Sequence, residues 1–115
     1  MTESTENDEW PFRFEISETG VDWSDLTFKV TFNGLVAPDK KAEIVKMVSE
    51  WATKGVEDGY GGKMHLWEIE ENAWNKKGTS FSFWADMGSS DLKKAVGLLF
   101  DNFADTGLVK KIKVG

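Results

Sequence analysis

Residues 26–32 read Leu26-Thr27-Phe28-Lys29-Val30-Thr31-Phe32. Apolar and polar side chains alternate without a break. Successive side chains of a strand point to opposite faces, so this stretch predicts a strand with one face in a core and one in water. A second alternation lies far along the chain: Phe81, Phe83 and Ala85 interleave with Ser80, Ser82 and Trp84. Burying a phenylalanine is worth roughly 2–3 kcal/mol. The rings of both stretches are therefore expected to turn inward, leaving threonines, serines and Trp84 on the far face.

Asn33-Gly34 ends the first strand. A helix is expected from Pro38, with Asp39 in its first turn, Ile44, Met47, Val48 and Trp51 at helical spacing, and Gly55 as its C-cap. Met64–Trp74 reads as a strand with mixed faces, and Asn75-Lys76-Lys77-Gly78 as the turn that joins it to 80–85. Ser89 or Ser90 is expected to cap a second helix whose stripe is Leu92, Ala95, Val96, Leu99 and Phe103, ending at Gly107. Leu108–Val114 is a last strand; its Lys110, Lys111 and Lys113 suit an exposed edge. Ahead of all this, Phe12, Phe14 and Ile16 alternate as a short strand after Pro11, also best at an edge.

From residue 26 the predicted order is strand, helix, strand, strand, helix, strand. The helices echo one another, each opening on Lys-Lys-Ala (40–42 and 93–95) and closing at a glycine. The expected fold class is α+β: a ferredoxin-like βαββαβ sandwich with two helices on one face of an antiparallel sheet, plus an extra amino-terminal edge strand. At 115 residues the chain has the length of one domain. Residues 1–9 are expected to be a disordered acidic tail and 10–115 a single domain.

The net charge of −6 is unevenly spread. Residues 1–25 hold Glu3, Glu6, Asp8, Glu9, Glu15, Glu18, Asp22 and Asp25 against Arg13 alone, while the remainder is close to neutral. Arg13 is the one arginine. Proteins that grip phosphates use arginine forks repeatedly, so nucleic acid is not an expected partner. The RNA-recognition motif shares the expected topology, and Lys77-Gly78-Thr79-Ser80-Phe81-Ser82-Phe83 lies where its aromatic strand would be. Its rings must face away from the helices, whereas burial turns Phe81 and Phe83 toward them.

No cysteine is present, which removes thiol nucleophiles, disulfides and cysteine-ligated metals. Gly59-Tyr60-Gly61-Gly62-Lys63 lacks the first glycine of a phosphate loop, with Glu57 in its place, and Met64 stands where serine or threonine is needed. His65 is the one histidine and is expected to be structural or superficial. Glu68 and Glu70 share a face about 7 Å apart, the pattern of a solvated hairpin. No catalytic, cofactor-binding or metal-binding residue is assigned. The amino-terminal start is acidic and no apolar run approaches the roughly 20 residues that span a bilayer, so a cytoplasmic protein without membrane contact is expected.

Six tryptophans and eight phenylalanines exceed what the sheet face needs. The expected function is a small non-catalytic interaction module of the regulator, inhibitor or immunity type. It would bind a basic protein partner, or itself, through the acidic amino-terminal arm and exposed rings, with Trp10, Trp23, Trp84, Asp22 and Asp25 as partner-binding residues. The alternative is a homodimer with a small-molecule pocket between helices and sheet, or a cofactor-independent enzyme, in which His65, Tyr60 and Trp67 would line the site.

Overall fold

A computed structural model describes residues 14–18 and 25–115. The elements, in chain order, are β1 (Glu15–Glu18), β2 (Leu26–Phe32), α1 (Pro38–Glu57), β3 (Leu66–Glu68), β4 (Ser80–Asp86), α2 (Leu92–Thr106) and β5 (Val109–Val114). Among the described residues this is an α+β fold with two helices and one five-stranded sheet. The strands lie side by side in the order β1-β5-β2-β4-β3.

The alternation at 26–32 is realised as expected. Leu26, Phe28, Val30 and Phe32 are buried, while Thr27 and Lys29 are exposed. Phe28 stands opposite Phe83 and Val30 opposite Phe81 in the antiparallel β2–β4 pair. Both helices cover the face these rings share. Phe83 stacks on Phe28 at 4.9 Å and reaches Trp51 of α1 at 6.5 Å and Phe103 of α2 at 6.4 Å. The indole Nε1 of Trp51 donates to the Ala95 carbonyl at 2.9 Å, tying α1 to α2 inside the core. Burying an indole demands such an acceptor.

Several local expectations are corrected. The sheet is mixed rather than antiparallel, because β1 pairs parallel with β5. β1 and β2 run in opposite directions, and β5 lies between them, antiparallel to β2. β5 is therefore an interior strand, not the exposed edge its lysines suggested; the edges are β1 and β3. The long strand expected at 64–74 shrinks to Leu66–Glu68, followed by a turn in which Ala73 N–H donates to the Glu70 carbonyl and a single bridge between Trp74 and Phe81. A run of Glu68, Glu70, Glu71 and Asn72 has too little apolar surface to continue the ladder.

Gly55 is not a cap: α1 runs past it to Glu57. It is glycine because a Cβ there would lie 2.2 Å from the Met64 sulfur. The N-cap of α2 is Asp91, whose carboxylate accepts from Lys94 N–H at 3.2 Å, rather than Ser89 or Ser90. Ser89 Oγ instead accepts from Lys63 N–H at 3.2 Å, holding the glycine loop to the start of α2. Gly107 does end α2, in the left-handed conformation with φ 68°. The turn at 75–78 forms, with Asn75 Oδ1 accepting from the backbone of Thr79 and Ser80. The expected disordered tail, residues 1–9, lies outside the described residues.

Candidate functional site: the sheet face opposite the two described helices

The face of the sheet opposite the helices carries every second residue of each strand. Its cross-strand rows follow from the register. One row reads Glu15, Lys111, Thr31 and Ser80. The next reads Ser17, Lys113, Lys29 and Ser82. A third holds Thr27, Trp84 and Glu68, and a fourth Asp86 and Leu66. The face is thus divided. Lys29, Lys111 and Lys113, all exposed, occupy β2 and β5. Glu68 and Asp86 lie on β3 and β4, at the other side.

Among the described residues, Trp84 is the large ring on this surface. Its Nε1 donates to Asp25 Oδ1 at 2.5 Å, and Asp25 immediately precedes β2. A carboxylate acceptor makes this a charge-assisted bond that fixes the ring's orientation. Beside the ring is a groove of about 260 Å³ lined by Thr27, Glu68, Glu70, Asn72, Ser82 and Trp84. Two carboxylates next to an indole form a site for a cation: Coulomb attraction draws the charge in, and the ring face accepts it. The short reach of β3 makes this groove. Where the chain leaves the ladder after Glu68, it turns and stands Glu70 and Asn72 over the Ser82 row.

Of the residues singled out from sequence, the fold brings Asp25 and Trp84 into contact. Trp10, Trp23 and Asp22 lie outside the described residues. The residues of the small-molecule alternative are placed otherwise. Tyr60 is buried, its hydroxyl donating to the Trp51 carbonyl at 2.7 Å. Burial, and secondarily the Asp58 carboxylate, raises its phenol above the ordinary range. His65 is exposed, its Nδ1 3.5 Å from Asp86 Oδ2. Trp67 is half-buried on the helix side. The space between helices and sheet is filled by Phe28, Trp51, Phe83 and Phe103.

Glu68 and Glu70 were visible as a pair on one face. Their role in a groove was not, because it depends on where the ladder stops. A second groove, about 260 Å³, lies between the helices, with Ile44, Met47 and Leu108 as its apolar lining and Lys40, Glu43 and Asp105 among its polar residues. Among the described residues no group of three or more histidine, cysteine, aspartate or glutamate side chains is placed to hold a metal ion. None of their helices is long and apolar enough to cross a membrane. A scan against protein-family models finds no match, and neither the curated proteins nor the solved structures contain a similar chain at a significant level.

Proposed function

We propose that this chain is a non-catalytic protein-interaction module whose sheet face opposite α1 and α2 receives a basic segment of its partner. The observation that carries the reading is the pinned indole of Trp84 beside the groove of Glu68 and Glu70. A lysine or arginine of the partner enters that groove, its charge against the carboxylates and its stem along the ring. Aromatic anchors with charge complementarity around them are the usual composition of an interface core and its rim. The acidic amino-terminal arm, with Trp10, Trp23 and Asp22, adds long-range attraction for the same basic partner. The order β5-β2-β4-β3 with both helices on one side supports a ferredoxin-like sandwich carrying β1 as an added edge.

The test is capture from the native host with three baits: the parent chain, Trp84→Ala, and the double variant Glu68→Gln/Glu70→Gln. Lys93→Ala, on the exposed side of α2, serves as control. A protein retained by the parent and the control, and lost by both groove variants, supports the reading. Equal capture by all baits removes the groove from the interface.

A further inference from the structure

The same face that offers an acidic groove also offers the cations to fill it. Lys29 and Lys113 are directly opposite one another on β2 and β5, with Lys111 one row away. No ion pair is made by any of the three among the described residues. Like charges facing across a ladder are unfavourable unless an anion is brought to them. The groove carboxylates lie on the far side of β4. Neighbouring strands are about 4.8 Å apart, so these two charged sets are separated by only a few strand widths.

We infer that the occupant of the groove is a second copy of this chain, joined face to face through a two-fold axis lying along the strands between β2 and β4. This rests on the reading of the groove as a cation site and names its partner. The symmetry follows from the strand order. A two-fold axis between β2 and β4 exchanges β2 with β4 and β5 with β3. It therefore lays Lys113 of one copy over the side of the other that carries Glu68 and Glu70, and Lys29 over Ser82 and Trp84. The rows agree as well as the columns. β3 runs antiparallel to β4 with Glu68 opposite Trp84. Beyond the end of β3, Glu70 lines the same groove as Ser82, whose row holds Lys113 and Lys29. An isologous contact makes each such pairing twice.

The lysine and glutamate columns are complementary in this arrangement, while Asp25 of one copy falls over Asp86 of the other and weakens the contact. A shift by one strand toward β5 places Lys29 over Lys29. Size sets the strength. The four strands that overlap, β5, β2, β4 and β3, hold 23 residues, which at about 3.3 Å per residue and about 4.8 Å between strands give a flat area on the order of 360 Å² per copy. A standard interface covers about 800 Å² of accessible surface per partner. The dimer is accordingly weak, charge-driven and salt-sensitive.

The experiment is sedimentation of the full chain over a concentration series, at about 0.05 M and about 1 M salt, where the screening length falls to about 3 Å. Two charge-reversed variants accompany it: Lys29→Glu/Lys113→Glu and Glu68→Lys/Glu70→Lys. The parent is expected to dimerise at low salt and dissociate at high salt. Each variant alone is expected to stay monomeric, with far-UV circular dichroism showing that it folds. Mixed in equal amounts, the two are expected to dimerise again, because each reversed half meets a reversed half. A parent monomeric throughout overturns the inference, as does a dimer that both variants retain, or folded variants that fail to recover on mixing. A lysine-rich peptide titrated into the labelled full chain separates the two readings. If the parent is monomeric but its Trp84 indole resonance shifts with peptide, and does not in Glu68→Gln/Glu70→Gln, the groove stands and the second copy falls. If neither happens, both fall.

Discussion

Phe83 and Trp84 are neighbours in one strand, and replacing each by alanine should have opposite consequences. Phe83 is 4% exposed and touches four rings: Phe28, Phe81, Trp51 and Phe103. It joins the sheet to both helices. Phe83→Ala removes a ring from a dense core, and the surroundings relax only partly, so the cost is about 3–5 kcal/mol. That is a fifth or more of the about 5–15 kcal/mol that holds a domain of this size together. Trp84→Ala removes a half-buried ring and one hydrogen bond, and exposed Asp25 is simply rehydrated. Its cost is about 1.5 kcal/mol, the low end for a hydrogen bond to a charged group because this pair is exposed to water. Urea unfolding followed by far-UV circular dichroism measures both, since six tryptophans make fluorescence hard to assign. The midpoint should fall steeply for Phe83→Ala and much less for Trp84→Ala, with the slope unchanged. Equal losses would mean that the side chains of β4 are not divided between core and open face, and the assignment of Trp84 to an interaction surface would go with it.

Tyr60→Phe deletes the donor to the Trp51 carbonyl and should cost about 1 kcal/mol at neutral pH by chemical denaturation. Its pH dependence has a definite sign. The folded phenol ionises above its unfolded value of 10.0, so its contribution is complete below that pH and lost as pH climbs through the raised value. The parent should therefore lose an increment of stability in that alkaline window that Tyr60→Phe does not. Two glycines separate contact from conformation. At Gly62 a Cβ would stand 2.0 Å from the Ser89 carbonyl oxygen, a backbone atom that cannot rotate away, so Gly62→Ala should cost more than about 2 kcal/mol. At Gly107 nothing lies within 4 Å but φ is +68°, so Gly107→Ala should cost about 1 kcal/mol and Gly107→Asn less, both read from thermal melts.

What the sequence displays is what period and chemistry can encode locally. The inward rings of β2 and β4, the stripe of α2 and the turn at Asn75–Gly78 were all legible, because each is fixed by alternation, by helical spacing or by a side chain's own hydrogen bonds. Phe100, fully buried yet outside the expected stripe of α2, shows the limit: the stripe is broad where two elements press on one helix. Gly55 shows another. A glycine near a helix end has the look of a cap, and only the approach of Met64 reveals that it is there to make room. The cap of α2 fell to Asp91 because Ser89 was already engaged with Lys63.

The lysines of β5 carry the more general lesson. A period of two tells which face a side chain occupies, but says nothing about what pairs with the strand on either side. Lys111 and Lys113 read as guards of an edge, and they stand instead in the middle of a sheet whose ladder is filled by β1 and β2. A guard on an edge keeps other chains away. The same charge on an interior strand points out of the sheet's plane and does the reverse for any anionic surface that approaches face on. The acidic pair at Glu68 and Glu70 changes meaning in the same way. Along a continuous hairpin it would be a solvated face; where the ladder ends early, it becomes the wall of a groove beside a fixed indole. Both halves of the face owe their character to the placing of neighbouring strands, which depends on contacts between residues far apart in the chain.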